Sequence, residues 1–367
     1  MPLVPFQYHT TAQEIRMQEI QLGHLTVGPD RPPLIVAELS GNHNHSLERA
    51  LAMIDNAADA GAQAIKLQTF TPDTITLNVR RNEFIISNEK SLWYGRSLYE
   101  LYEDAALPWE WHKPLFERAA ERGLLAFSTP FDDTAVDFLE TLHVPCYKIA
   151  SFEMTDINLI RKVAQQGKPM LMSTGMASLE EIAEAVRTAR THGCRDIILL
   201  KCTSSYPATA EQANLLTIPH LRDTFNVHAG LSDHSMGVGV ALAGVALGAE
   251  VIEKHMTLRR ADGGVDSAFS LEPEELATLV REARNAWAAC GHVLYGPSDG
   301  MEESEKRNRR SLYFIREKRA GTVVEPKDIR SVRPGLGLPV KYYDLIIGRT
   351  LKEHVVPGTP TAWQLFV

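Results

Sequence analysis

Residues 34–38 read Leu34-Ile35-Val36-Ala37-Glu38, an apolar run that stops at an acid. Seven later runs end in polar residues in the same way, at Lys66 and Gln68, Ser128-Thr129, Ser151, Ser173-Thr174, Lys201 and Ser204, Ser232-Asp233-His234, and Glu253-Lys254-His255. Short apolar runs of this kind are typical of buried strands. A (β/α)8 barrel, or TIM barrel, builds its active site at the C-terminal ends of its strands. The pattern therefore predicts this α/β fold and indicates where the chemistry lies.

Helical patterns separate most of the predicted strands, with Ser46 and Ser178 as candidate N-caps. One interval is too long for a simple βα unit because it holds an insertion, residues 71–107, rich in Asn, Glu and aromatic residues. Long insertions on the catalytic face commonly cover substrate. Its Trp93 either faces the substrate or belongs to the insertion's own core, and the second interpretation is favoured.

Four segments are predicted. Residues 1–33 form an N-terminal cap, with a hairpin over 17–27 that plugs the barrel bottom; 34–291 form the barrel; 292–308, with Gly296-Pro297, form a linker; and 309–367 form a small, mostly β domain. Lys and Arg outnumber Asp and Glu from Glu305 onward, although the whole chain carries a net charge of −8. These basic residues are interspersed with acids and apolar runs, which favours a folded domain over a nucleic-acid-binding arm.

Composition indicates a soluble cytoplasmic protein. The chain of 367 residues is 44% hydrophobic and 23% charged, as in ordinary soluble proteins. Its four cysteines show no paired spacing, which fits a reducing compartment and gives no zinc signal. The N-terminus lacks a secretion signal pattern, and no apolar stretch is long enough to cross a bilayer, so no membrane association is expected.

His234 and His255 end consecutive predicted strands. Neighbouring strands lie about 4.8 Å apart, so the two imidazoles can share one metal ion. Such a site suits Mn²⁺, Mg²⁺, Fe²⁺ or Zn²⁺, and two histidines alone do not choose among them. Two hydrogen-bonded histidines without a metal are the alternative. Glu38 is an adjacent acid that could bind a metal-bound water or a substrate hydroxyl.

Four lysines, Lys66, Lys148, Lys201 and Lys254, fall in or at the ends of predicted strands. They suit either a bound anion or a Schiff base, and their number favours a polyanion such as a phosphate-carboxylate. Nearby serines and threonines either bind that anion or cap the following helices. Asp266, in the glycine-containing loop 263–271, either receives sugar hydroxyls or is an ordinary turn residue.

Together these motifs resemble the sialic acid synthase family. The resemblance rests on Ala37-Glu38, 41–44 (Gly-Asn-His-Asn), 66–69 (Lys-Leu-Gln-Thr), 128–131 (Ser-Thr-Pro-Phe), 148–151 (Lys-Ile-Ala-Ser), 173–176 (Ser-Thr-Gly-Met), 202–207, 231–234 and 253–255. The tail, with Val332-Arg333-Pro334-Gly335, looks like the antifreeze-like (SAF) domain that ends these enzymes.

The resemblance implies a metal-dependent condensation of phosphoenolpyruvate with an amino-sugar aldehyde. His234 and His255 would hold Mn²⁺ or Mg²⁺, and Glu38 would act on the aldehyde or on water. Phosphoenolpyruvate would be bound by Lys66, Thr129, Lys148, Ser151, Ser173, Ser204 and Ser232. The sugar would face Gln68, Glu153, Tyr206, Asp266 and, from the partner chain of a domain-swapped homodimer, Arg333.

Several segments look like the pseudaminic acid synthase branch of the family, among them 91–95, 108–111 and 264–271, with Ser204 where Asn is frequent. That branch implies 2,4-diacetamido-2,4,6-trideoxy-L-altrose as the acceptor and a bacterial surface sugar as the product. A neuraminate or legionaminate synthase is the nearest alternative. A Schiff-base pyruvate aldolase using Lys148 or Lys254, a synthase for a phosphorylated sugar, and a carbohydrate-binding module are weaker alternatives.

Overall fold

The computed structural model describes residues 17–89 and 91–367. Eight parallel strands close into a barrel in chain order, so the predicted TIM barrel is confirmed. They are β3 (Leu34–Glu38), β4 (Ala64–Thr69), β5 (Leu125–Pro130), β6 (Tyr147–Ile149), β7 (Met170–Ser173), β8 (Ile197–Cys202), β9 (His228–Asp233) and β10 (Val251–His255). Strand β10 pairs with β3 in a register that sets His255 opposite Glu38 and closes the barrel.

Helices follow most of these strands. Those of the barrel unit are α1 (Leu47–Asp59), α2 (Pro72–Ile75), α3 (Leu98–Ala105), α4 (Trp109–Glu121), α5 (Asp133–Thr141), α6 (Ile157–Ala164), α7 (Leu179–Thr191), α8 (Thr217–Phe225), α9 (Gly239–Ala246) and α10 (Pro273–Cys290). Ser46 and Ser178 are the N-caps of α1 and α7, as predicted, and Ser178 forms a capping box with Glu181. In the described part of the chain, no helix is long and apolar enough to cross a membrane.

Side chains alternate between the two faces of the barrel wall. Leu34, Val36 and Val251 belong to the cluster inside the barrel, whereas Ile35 and Ile252 pack outward against the helices. This alternation decides which polar residues at the strand ends face the interior.

A hairpin of β1 (Ile20–Leu22) and β2 (Leu25–Val27) precedes the barrel. Its side chains pack in the same cluster as the lower inward-facing residues of the barrel strands. His228 is the first residue of β9. Its imidazole ring contacts the carboxylate of Glu250, and its Nε2 lies 2.8 Å from the Gln18 carbonyl. The hairpin therefore lies at the N-terminal end of the barrel. Residues 1–16 of the predicted cap lie outside the described residues.

The chain divides into two compact units, with the boundary after Gly291. The second unit contains α11 (Gly300–Ser304), the antiparallel strands β11 (Ser311–Phe314) and β12 (Ile329–Val332), and α12 (Tyr343–Ile346). Leu312, Phe314, Ile346 and Phe366 are among the residues of its own hydrophobic core. The segment predicted as a linker thus includes the short helix α11, whose N-cap is Asp299.

Candidate active site

A layer of polar side chains faces the upper interior of the barrel. Every second residue of a strand faces the same side, so the members of this layer follow by counting in steps of two from the inward-facing apolar residues. They are Glu38, Lys66, Gln68, Thr129, Lys148, Ser173, Cys202, Ser232, His234, Glu253 and His255. Most of the predicted barrel-site residues belong to this layer. Glu253 and Cys202 belong to it too, although sequence reasoning did not select them as site residues.

Glu253 lies at the centre of the layer. Its Oε1 is 3.3 Å from Lys148 Nζ and 3.6 Å from Lys66 Nζ, and it accepts a hydrogen bond from Ser232 Oγ at 3.1 Å. Burial opposes its ionisation, but the ammonium groups of Lys148 and Lys66 outweigh burial and lower the pKa of Glu253. The signal was present in the sequence, because Glu253 stands two residues before His255 and so faces the same side.

Glu38 is fully buried beside this centre. Its Oε2 is 2.5 Å from Lys66 Nζ, and its Oε1 accepts hydrogen bonds from Ser40 N at 3.0 Å and Gln68 Nε2 at 3.1 Å. Lys66 also donates to Thr129 Oγ1 at 3.3 Å. Burial raises the pKa of Glu38 even against the charge of Lys66. A buried carboxyl group with a raised pKa is suited to accept a proton and return it during a reaction.

The rings of His234 and His255 lie at the upper end of this layer, with centroids 5.1 Å apart. His234 Nδ1 is 2.9 Å from the Thr203 carbonyl, which can only accept, so Nδ1 carries a proton, and in the neutral ring Nε2 keeps its lone pair. His255 Nδ1 is buried, has no hydrogen-bond partner among the described residues, and lies 3.7 Å from Asp266 Oδ2. Within residues 17–89 and 91–367, no three His, Cys, Asp or Glu residues group as metal ligands. The two imidazoles therefore offer two nitrogen ligands for a metal ion.

Serine hydroxyls converge around the turn after β7. Ser151 Oγ accepts a hydrogen bond from Gly175 N at 3.2 Å. A Cβ atom on Gly175 would lie 2.3 Å from Ser204 Oγ and 2.6 Å from Ser151 Oγ, so only glycine fits between them. The buried hydroxyls of Ser173 and Ser204 have no hydrogen-bond partner in the described part of the chain. Unpartnered buried donors of this kind suit an anion.

Aromatic side chains cover the two histidines. The ring of Tyr206 lies 4.6 Å from that of His234, and Phe269 lies 5.1 Å from His255. Trp93, from the insertion, lies 5.8 Å from Tyr206. The interpretation of Trp93 as part of the insertion's own core is therefore wrong, because its ring reaches the barrel mouth.

Asp266 is buried rather than exposed in a turn. Its carboxylate accepts a hydrogen bond from Ser40 Oγ and faces His255, and burial raises the pKa of Asp266.

Glu153 lies farther out, in a cavity that it lines with Phe131 and Asn158. Burial raises the pKa of Glu153 to about 7. Arg333 follows β12 in the C-terminal unit, so its predicted contact with the sugar stays a prediction.

Two of the four strand-end lysines face away from the interior. Lys254 Nζ binds Asp233 Oδ2 at 2.8 Å and the Ser235 carbonyl at 2.7 Å. Lys201 Nζ donates to the Cys202 carbonyl at 2.7 Å. Both stand one residue away from an inward-facing position, and this alternation excludes them from the anion site. Lys66 and Lys148 remain as the buried cations of the interior.

Comparison with known proteins now identifies the family. The NeuB family matches residues 53–295, and a SAF domain matches residues 309–367. The chain belongs to the NeuB family. The predicted resemblance to sialic acid synthases is confirmed, and with it the enzyme class of nonulosonic acid synthases.

Three similar proteins illustrate the match. Pseudaminic acid synthase of Campylobacter jejuni is 42% identical over 92% of this chain and 97% of that protein. N,N'-diacetyllegionaminic acid synthase of Legionella pneumophila is 33% identical over 90% of this chain and 93% of that one. The crystal structure of N-acetylneuraminic acid synthetase from Leptospira borgpetersenii, in complex with citrate, is 37% identical, with a TM-score of 0.69 over 80% of this chain and 97% of that chain.

Proposed function

We propose that the protein is a pseudaminic acid synthase. It would condense phosphoenolpyruvate with 2,4-diacetamido-2,4,6-trideoxy-L-altrose and water, giving pseudaminic acid and inorganic phosphate. The observation that carries this proposal is the occurrence of two buried cations, Lys66 and Lys148, together with the unpartnered buried hydroxyls of Ser173 and Ser204 in the same barrel. The similarity to Campylobacter pseudaminic acid synthase supports the choice within the family.

Phosphoenolpyruvate would bind at the inner layer through Lys66, Lys148 and the hydroxyl groups of Thr129, Ser151, Ser173, Ser204 and Ser232. Charge-assisted hydrogen bonds from lysines and hydroxyls to phosphate and carboxylate oxygens are stronger than neutral ones. The two lysines already face two carboxylates, Glu38 and Glu253. A polyanionic substrate therefore needs a further positive charge in the site.

A divalent cation, Mn²⁺ or Mg²⁺, would supply that charge at His234 and His255. The free lone pair on His234 Nε2 and the unpartnered buried nitrogen of His255 fit such an ion. When bound, the metal would polarise the aldehyde oxygen of the acceptor as a Lewis acid.

The remaining steps fall to the chain's own residues. The lysines would hold phosphoenolpyruvate while its C3 carbon bonds to the aldehyde carbon and positive charge develops at C2. Glu38, whose pKa is raised by burial, would orient and deprotonate the water that adds at C2, and that proton would pass to the aldehyde oxygen, which becomes a hydroxyl group. Cleavage of the bond between C2 and the phosphate ester oxygen then releases phosphate. Lys66 and Lys148 would balance the charge of the phosphate throughout.

The acceptor would bind closer to the barrel mouth than phosphoenolpyruvate, against Gln68, Tyr206 and Asp266, with Glu153 farther out. The aromatic cover of Trp93, Tyr206 and Phe269 suits an acceptor that carries a methyl group and two acetamido groups. Free, unpaired cysteines support a cytoplasmic location, where both substrates would be made.

We further propose a domain-swapped homodimer in which Arg333 reaches the partner's acceptor. Arg333→Ala is then expected to raise the acceptor KM while the KM for phosphoenolpyruvate and the melting temperature stay unchanged. The control mixes Arg333→Ala chains with inactive Lys148→Met chains. If the site is shared, one site of each heterodimer combines an intact Lys148 from one chain with an intact Arg333 from the other. Heterodimers that regain activity support a shared site, and an unchanged acceptor KM contradicts it.

The direct test measures phosphate release with phosphoenolpyruvate and three acceptors: the diacetamido-trideoxy-altrose, its mannose-configured counterpart and N-acetylmannosamine. The altrose derivative is expected to give the highest kcat/KM. Preference for either other sugar would identify a legionaminate or neuraminate synthase instead. Covalent trapping by borohydride with pyruvate, with activity that survives chelation, would identify a Schiff-base aldolase.

A further inference from the structure

Asp266 is held in place by one hydrogen bond to the barrel side and one within its own loop. Its backbone N–H donates to Asn42 Oδ1 at 3.1 Å, and its carbonyl accepts from Ser270 Oγ at 2.7 Å. Asn42 Nδ2 donates to Ser270 Oγ at 2.9 Å and to the Met256 carbonyl at 2.8 Å. Asn42 is fully buried, so this arrangement fixes Asp266 from the barrel side.

The insertion holds the same loop from the opposite side. Trp93 Nε1 donates to the carbonyl of Val265, the residue before Asp266, at 3.1 Å. The same indole ring lies 5.8 Å from Tyr206, which covers His234. Trp93 thus touches both the loop that carries Asp266 and the aromatic cover of the site.

A cavity of about 560 Å³ opens on the outer side of this contact. Leu92, Trp93, Val265 and Ala268 give it apolar walls, and Asn44, His45, Arg96 and Asp104 add polar and charged groups. Concave surfaces that combine apolar walls with placed polar groups are typical of small-molecule subsites. Methyl and acetamido substituents match this mixture, whereas a hydroxyl-rich sugar tail would leave the apolar walls poorly used.

We propose that Trp93 is a specificity-determining residue for the acceptor. It would line the subsite for the acylated, deoxygenated end of the sugar and position Asp266 through the Val265 carbonyl. This inference rests on the proposed function, and it assigns acceptor selection to the insertion between β4 and α4. Asn42 is the matching positioning residue on the barrel side.

Trp93→Phe and Trp93→Ala test the proposal. Phenylalanine keeps an apolar ring but loses the indole donor, so the acceptor KM is expected to rise about 3- to 10-fold, as for one lost hydrogen bond. Alanine also removes the wall and is expected to reduce the preference for the diacetamido sugar over N-acetylmannosamine at least 10-fold. The KM for phosphoenolpyruvate is expected to change less than 2-fold in both.

Trp109→Phe is the matched control. Trp109 Nε1 also donates to a backbone carbonyl, that of Phe70 at 3.3 Å, but Trp109 stacks on Phe138, away from the Asp266 loop. Its acceptor KM and sugar preference are expected to match the wild type. Equal effects of Trp93→Phe and Trp109→Phe, or parallel changes in both substrate KM values, would overturn the role of Trp93. A wild-type enzyme that releases no phosphate with any acceptor would instead refute the proposed function itself.

Discussion

Gly175→Ala is the sharpest test of the anion site. The added Cβ would lie 2.3 Å from Ser204 Oγ and 2.6 Å from Ser151 Oγ, where ordinary contact begins at 3.4 Å. At least one hydroxyl must therefore move by about 1 Å. The backbone of Gly175 is outside the left-handed region, so alanine itself adds no backbone strain.

The expected loss follows from the hydrogen bonds that these serines would make to phosphoenolpyruvate. One hydrogen bond to a charged group contributes about 1.5–3 kcal/mol. Each 1.4 kcal/mol corresponds to about a tenfold change in affinity. Displacing one serine should thus weaken binding of phosphoenolpyruvate about 10- to 100-fold. Titration calorimetry without acceptor measures this affinity directly.

Gly239→Ala serves as the control, because Gly239 begins α9 and has no described heavy atom within 4 Å of its Cβ position. It is expected to bind phosphoenolpyruvate like the wild type. Affinity of Gly175→Ala within 2-fold of the wild type would refute the assignment of Ser151 and Ser204 to the anion. A large fall in melting temperature would show that the substitution disturbs folding, and Ser204→Ala would then test the same contact.

Three further predictions concern the metal, the lysines and pH. His234→Ala and His255→Ala should each lose bound Mn²⁺ and nearly all turnover, and full activity of either at saturating Mn²⁺ would contradict the metal proposal. Lys148→Met should abolish binding of phosphoenolpyruvate. Lys254→Met should retain that binding but lose about 3–5 kcal/mol of stability, because it leaves the buried carboxylate of Asp233 without its lysine partner. Equal binding defects in the two variants would contradict the conclusion that only Lys148 faces the anion site. Burial raises the pKa of Glu153 to about 7, so the folded protein keeps a proton that the unfolded chain releases. Wild type should therefore lose melting temperature relative to Glu153→Gln as pH rises from about 5 to 8, and parallel melting curves would contradict this.

The sequence was enough to predict the barrel and the end that carries the chemistry. Apolar runs with polar ends are a local pattern, and a local pattern can be recognised in the sequence without knowledge of tertiary contacts. Deciding which strand-end lysines face the anion site needed one more step, because side chains alternate between the two faces of each strand. Applied to 251–255, alternation selects Glu253 and His255 and rejects Lys254.

The contacts across the barrel mouth could not be predicted in this way. Trp93 meets Val265 across a long stretch of chain, and no periodicity in the insertion indicates that contact. Asn42 was visible only as part of a family motif, and its hydrogen bonds to the Asp266 loop depend on how two loops meet. Long loops carry little pattern of their own, so their partners are set by tertiary packing.

In the described part of the chain, the β1–β2 hairpin closes the N-terminal end of the barrel. Ile20, Leu22 and Val27 pack with the lower inward-facing residues of the barrel strands and fill that end. Under the proposed function, phosphoenolpyruvate must descend to Glu253 before the sugar occupies the level of His234 and His255. Phosphate, released at the bottom, must then wait until the larger sugar acid has left. Under the proposed function, a closed lower end would thus impose an order in which phosphoenolpyruvate binds first and phosphate leaves last.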